Sequence, residues 1–157
     1  AFDMGIYTVA MAQQFLGNPS AIHATGSAHP GGADQEAFVT MTYDSGARAS
    51  LLISGIATLA QLASCSFEHA QLSLDAPFLV PSGLQLQTKD FYPTGEHWLD
   101  TTGVVGHEGL SYQATWFAHY VSQGLVESPV HTHADVIAVL EALEEIVKQV
   151  TGGAPLP

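Results

Sequence analysis

Asp3 and Tyr7 stand four residues apart in Asp3-Met4-Gly5-Ile6-Tyr7, and on a helix that spacing puts a carboxylate and a phenol on one face. The pair suits proton transfer to or from a substrate hydroxyl. A free phenol has a pKa of about 10, so to act as a base near neutrality it needs a cation beside it. Neither Lys89 nor Lys148 has an obvious claim to that place. The same two residues also have a plain structural reading, an acid ahead of a helix N-terminus and a packed ring. A second group is His131, His133 and Asp135. An extended His-x-His sets two imidazoles on one side, with Asp135 as a third ligand for a metal ion. Against that, Thr132 and Asp135 have the spacing of a capping box, with Asp in the place of Glu, and no metal site is assigned. His23, His29, His69, His97, His107 and His119 are scattered. No G-x-S-x-G occurs, and Cys65 lies in a strand-like run of small residues, the place of a packed, inert thiol.

The elements that must carry these groups belong to a chain of 157 residues, the size of one ordinary domain. It has 15 Asp+Glu against 3 Lys+Arg, a net charge of −12, and its cations are Arg48, Lys89 and Lys148. That balance excludes electrostatic nucleic-acid binding and disfavours an anionic membrane surface. No G-x-G-x-x-G turn opens a βαβ unit, so a dinucleotide site within the chain is not expected. At 46% hydrophobic and 11% charged, the chain folds and has a surface short of charge. A single cysteine fits a reducing, cytoplasmic setting. Asp3 stands where a signal peptide would be basic, and residues that already look like the inside of a helix follow Ala1, so the sequence reads as a fragment lacking its N-terminal part. Ala49 to Phe67 is uncharged and near membrane-spanning length, but its serines and its period of two mark strands.

Gly5 to Leu16 reads as a helix ended by Gly17-Asn18-Pro19. Strands follow around Ile22 and Thr25, at Ala37–Tyr43, at Ala47–Ser54 across an Asp44-Ser45-Gly46 turn, and at Leu62–Phe67, Gln71–Leu74 and Gly83–Thr88, with a further run at His97–Asp100. Leu110–Gln123 is a helix whose Trp116, Phe117 and Tyr120 should pack on the sheet. The closing helix runs to about Val150, with Val136, Leu140, Leu143, Val147 and Val150 as its apolar stripe, Ile137 and Ile146 beside it, and a Glu144–Lys148 pair. The expected fold is α+β, a two-layer sandwich with a mainly antiparallel sheet of about six strands and the helices on one face. Residues 1–151 form one domain and 152–157 a loose tail.

Asp3-x-Gly5-x-Tyr7 with Leu16-Gly17-Asn18-Pro19, Asp75-Ala76-Pro77-Phe78, Gly109-Leu110-Ser111-Tyr112, Gly124, Glu127-Ser128-Pro129 and the closing helix together resemble the second domain of the Gfo/Idh/MocA oxidoreductase family. Tyrosine at the family's acid/base position is similar to its dihydrodiol- and xylose-dehydrogenase-like branch. The resemblance implies that NAD or NADP is bound mainly by an N-terminal Rossmann domain, whose Glu-Lys-Pro lysine would be the missing cation. It implies a sugar, polyol or dihydrodiol substrate, Tyr7 exchanging the hydroxyl proton and Asp3 positioning substrate. Taken alone, the chain would be inactive. Ser66-Phe67-Glu68-His69 departs from the family's Gly-Thr-x-Gly turn, so a longer or differently shaped hairpin is expected there. The alternative is a non-catalytic binding or scaffold module of the same fold.

One alternating set, Val39, Met41, Tyr43, Leu51, Ile53, Cys65, Phe67, Leu72, Leu74, Leu84 and Leu86, should lie under the helices. The opposite set is Thr40, Thr42, Ser50, Leu52, Ser64, Ser66, Ser73, Gln85 and Gln87, polar but uncharged. An uncharged open sheet face is the mark of an interface core rather than of a solvated sheet, so a homodimer through this face is expected.

Overall fold

The computed structural model describes residues 2–92 and 94–153. Its elements are α1 (Gly5–Leu16), β1 (Ala21–Ala28), β2 (Asp34–Thr42), β3 (Arg48–Ser54), β4 (Ala63–Ser66), β5 (Ala70–Leu74), β6 (Gly83–Thr88), β7 (Gly95–Leu99), a 3₁₀ turn (Gly106–Gly109), α2 (Leu110–Ser122) and α3 (His133–Thr151). The α+β class is as read. Among the described residues every strand pairing is antiparallel, but the strands number seven and hydrogen-bond as two sheets, β1-β2-β3 and β4-β5-β6-β7. The chain forms two compact units, one from the residues up to Leu59 together with those from Pro129 onward, the other Ala60–Ser128. Among the described residues no helix is long and apolar enough to cross a membrane, and the uncharged stretch is β3, a loop and β4.

In the first unit β2 alternates. Ala37, Val39 and Met41, then Tyr43 just beyond the strand, are buried, while Phe38, Thr40 and Thr42 face outward. Across the sheet Ala24 and Ile53 join them, and Val9 and Ala12 of α1 with Val139, Ala142, Leu143 and Ile146 of α3 close the core from one side. The turn to β3 is the expected one. Gly46 takes a left-handed φ of 85°, and Tyr43 N–H donates to Ala47 O at 3.2 Å. Burial lifts the pKa of the Tyr43 phenol above its ordinary value.

α3 departs from the expected stripe. Val139, Ala142, Leu143, Ile146 and Val147 are buried, while Val136, Ile137 and Leu140 are exposed at 40%, 55% and 39%. The small Ala142 turns inward, which rotates the buried line away from Val136 and Leu140. The expected Glu144–Lys148 pair is replaced by one with Glu145, Lys148 Nζ lying 3.4 Å from Oε2. Gln149 fixes α3 to the sheet. Its Oε1 accepts from Ala24 N–H at 2.7 Å and its Nε2 donates to Ile22 O at 2.9 Å, so one amide pairs with the free edge of β1 as a strand would. Gly152 ends the helix at φ 67°, and residues 154–157 of the expected tail lie outside the described residues.

In the second unit only Gly83 is buried among the strand residues. Leu72, Leu74 and Leu84 are half-buried, and Leu86 and Phe67 are exposed at 45% and 58%. No residue of α2 is buried either: Trp116 is 53% and Phe117 68% exposed. This corrects the expectation that α2 and this part of the apolar set form helix–sheet packing. Within the unit α2 packs on the 3₁₀ turn, and Trp116 finds its ring contacts on its own helix, at 5.3 Å from His119 and 5.7 Å from Tyr120. The β4–β5 hairpin is tight rather than longer, closed by Phe67 N–H to Ala70 O at 2.8 Å. Cys65 is half-buried in β4, and burial raises its thiol pKa above the ordinary value.

Candidate functional site

α1 begins at Gly5 behind a turn over residues 2–4, so Asp3 precedes the helix rather than sharing a helical face with Tyr7. Gly5, Val9 and Ala12 are the buried face of α1, spaced four and three residues apart. Tyr7, in the first turn, lies away from that face and is 48% exposed. The packed-ring alternative therefore does not describe it. A helical side chain leans towards the N-terminus, which sets the ring over the turn that carries Asp3. Met4, at the N-cap, supplies no side-chain cap, so the first-turn amides of α1 offer positive potential at this end. Among the described residues neither Asp3 nor Tyr7 makes a side-chain hydrogen bond or ion pair, and both polar ends are open to a ligand.

Further along α1, a cleft of about 230 Å³ is lined by Ala10, Gln13, Gln14, Val130, His131 and Asp135. Gln14 follows Tyr7 by seven residues, two helical turns along the same flank. The cleft brings together residues more than a hundred positions apart in sequence, which no local motif could disclose. Gln13 is tied to Asn18, its Nε2 donating to Oδ1 at 2.9 Å.

Of the His131, His133 and Asp135 group, Asp135 is engaged as a cap. Thr132 N–H and Thr132 Oγ1 each lie 2.8 Å from its Oδ2, and Asp135 N–H donates back to Thr132 Oγ1 at 3.2 Å. The backbone donor chiefly, then the hydroxyl and His131, holds the carboxyl below the ordinary aspartate value. Among the described residues no three His, Cys, Asp or Glu side chains are placed to hold a metal ion.

One pair was not singled out in the sequence. Asp75, just after β5, and His97, on β7, meet across Gly83, with Oδ2 2.9 Å from Nε2. A side chain on Gly83 would collide with both, the carboxylate of Asp75 most severely. Twenty-two residues separate the partners, and only the register Leu74↔Leu84 and Gln85↔His97 brings them together.

The fold defines a class, an antiparallel α+β domain, and here it carries an exposed phenol in the first turn of its first helix. Residues 1–70 match the family model described as the GFO/IDH/MocA C-terminal domain. That stretch holds Asp3, Tyr7 and Leu16-Gly17-Asn18-Pro19, the first of the motifs on which the resemblance rested. The chain is 28% identical over 155 residues to trans-1,2-dihydrobenzene-1,2-diol dehydrogenase of Bos taurus, a match covering 94% of this chain and 45% of that protein. The Sus scrofa enzyme of the same name is equally similar. Among solved structures, UDP-N-acetylglucosamine 3-dehydrogenase from Acidithiobacillus ferrooxidans shares the fold with a TM-score of 0.77 at 18% identity, over 96% of this chain and 47% of that one. Aldose-aldose oxidoreductase from Caulobacter crescentus does so at 0.73 and 19%, over 97% and 45%. The chain spans about half the length of the relatives it matches.

Proposed function

We propose that this chain is the substrate-binding and dimerisation half of an NAD(P)-dependent oxidoreductase acting on a hydroxyl of a sugar, polyol or dihydrodiol. In this reading Tyr7 takes the hydroxyl proton on oxidation and returns it on reduction, and Asp3 orients the substrate. The observation that carries it is Tyr7 itself, half-exposed and without a hydrogen-bond partner among the described residues, on the first turn of α1 within the stretch that matches the family model. A phenol placed there can reach a ligand hydroxyl, and the uncapped helix start favours the charge it would carry as a base. The cation that a tyrosinate base requires would come from a preceding domain.

The nicotinamide, when bound, supplies the hydride acceptor. The residues of this chain suit the proton side of the reaction and not the nucleotide. All strand pairings are antiparallel, so the described residues hold no parallel βαβ unit whose first turn cradles a pyrophosphate. The reading accordingly assigns cofactor binding mainly to a Rossmann domain outside this chain. It places the protein in the cytoplasm and assembles it as a homodimer through the open sheet face.

The test is a two-part assay. The intact protein, offered NAD or NADP with a panel of sugars, polyols and dihydrodiols, should reduce the cofactor with at least one of them, read at 340 nm. This chain alone should show no turnover and no saturable heat with millimolar cofactor. Saturable cofactor binding to this chain, or an intact protein inert to the whole panel, would overturn the proposal.

A further inference from the structure

The cleft beside α1 has no part in the proton transfer assigned to Tyr7, yet it lies on the same line of the helix. Tyr7, Ala10 and Gln14 are spaced i, i+3 and i+7, one flank of α1. Ala10 and Gln14 line the cleft together with Gln13, and Val130, His131 and Asp135 close it from the segment that leads into α3. All of these residues belong to the first unit. At about 230 Å³ the cleft has room for a ring-sized molecule rather than a single water. Its lining is mostly polar. Gln14 is exposed, and among the described residues its amide makes no hydrogen bond, so it offers a ligand both donors and an acceptor. Gln13 engages Asn18 through its Nε2, which makes its amide oxygen the acceptor end. Asp135 is held below the ordinary aspartate value and is anionic at neutral pH, and no Lys or Arg lines the cleft. A phosphate or nucleotide would therefore meet a carboxylate with no lysine or arginine to offset it. A neutral ligand rich in hydroxyls meets amides and a carboxylate that can bond it, with Ala10 and the exposed Val130 against its C–H faces.

We propose that this cleft seats the second sugar ring of a neutral glycoside whose first ring presents its reacting hydroxyl to Tyr7, an inference that rests on the proton-transfer reading above. The helix sets the span. Seven residues rise about 10 Å along α1, further than one pyranose ring extends and within the reach of two joined rings. The side chains of Tyr7 and Gln14 both lean towards the helix N-terminus, so their polar ends keep that spacing. The ring in the cleft takes no part in bond making. It is a remote part of the substrate, and its binding holds the reacting hydroxyl at the phenol. Gln14 and His131 act as specificity residues in this arrangement, selecting a two-ring sugar over a single ring. A monosaccharide, a polyol or a dihydrodiol leaves the cleft to water.

The test uses the intact protein with its cofactor and two forms of the sugar it oxidises fastest. One is the methyl glycoside, and the other is the α- or β-linked disaccharide that carries the same sugar at its non-reducing end. With wild type, kcat/KM should be about tenfold or more higher for the better disaccharide than for the methyl glycoside, the worth of one or two added hydrogen bonds. Gln14→Ala and His131→Ala, both at exposed positions, should each lower that ratio by about three- to tenfold, chiefly through KM. Damage to the fold would lower both substrates alike and could not move the ratio. A wild-type ratio near one, or a ratio that neither substitution moves, would overturn the cleft as a sugar subsite and leave the role of Tyr7 standing. A protein that turns over polyols or dihydrodiols and no sugar would do the same. A protein inert to all of them would overturn both readings.

Discussion

Removing the Gln149 amide should loosen the unit that holds α1, and the size of the effect follows from its bonds. The side chain satisfies two backbone groups of the edge strand, Ala24 N–H at 2.7 Å and Ile22 O at 2.9 Å, and also donates to Glu145 Oε1 at 2.8 Å. Ala24 is only 5% exposed, so its N–H cannot turn to water. A bond of this kind contributes about 0.5–1.5 kcal/mol net, and a buried donor left unmatched costs about 1–3 kcal/mol. Gln149→Ala should therefore cost about 2–3 kcal/mol, a large part of the about 5–15 kcal/mol that holds a typical domain. With a urea slope of about 1–3 kcal/mol per molar, the midpoint falls by about 1 M at unchanged slope. Amide exchange reads the clasp directly, and Ala24 N–H should exchange about 30- to 150-fold faster. Gln149→Glu keeps the acceptor for Ala24 but sets a carboxylate against Ile22 O and Glu145. It should be no better than Ala at pH 7, and better than Ala once acid protonates it. An Ala24 amide as protected in Gln149→Ala as in wild type would refute the clasp.

Thr132→Ala removes the N-cap of α3 and should cost about 1 kcal/mol by denaturant midpoint. The pKa of Asp135 is depressed in the folded chain, so its contribution is present above the unfolded value of about 3.9 and is lost as pH falls through the lower folded value. Asp135→Asn should flatten the acid limb of the stability profile, and an unchanged limb would show that the capping carboxylate is not linked to folding. Gly83→Ala should destabilise the second unit by about 1–3 kcal/mol through overpacking and should part Asp75 from His97. His97 ring shifts in an NMR spectrum would report that parting, and their persistence would contradict it. Gln149→Ala should also let the pKa of Glu145 rise, because the amide is the largest influence holding that carboxyl low, ahead of Lys148.

Local patterns carried much of the fold. The period of two in Ala37–Tyr43 names the buried side of β2, Asp44-Ser45-Gly46 makes its hairpin, and Thr132 with Asp135 caps α3 at the spacing that announced them. What failed depended on partners distant in sequence. The apolar stripe of α3 was centred on its largest residues, whereas Ala142 is the one that packs inward. The aromatic spacing of Trp116 and Tyr120 signals a helix but does not say what covers it. Lys148 has two acids within reach, and spacing alone does not choose Glu145 over Glu144. For the site, the Asp3–Tyr7 spacing was visible, but the helix start at Gly5 that leaves Asp3 in a turn was not. The Asp75–His97 pair and the cleft between Gln14 and His131 arise from register and packing, which a single sequence does not display.

Tyr7→Phe in the intact protein is the most direct test of the central proposal. It removes one hydroxyl from an exposed ring and leaves the buried line Gly5, Val9 and Ala12 untouched, so fold and stability should hold. With the best substrate of the panel, kcat should fall by about 10²–10⁴. The wild-type pH profile should show an ionisation that the variant lacks, while cofactor affinity stays the same. Wild-type turnover in Tyr7→Phe, with the pH profile unchanged, would contradict the assignment of the proton to this residue.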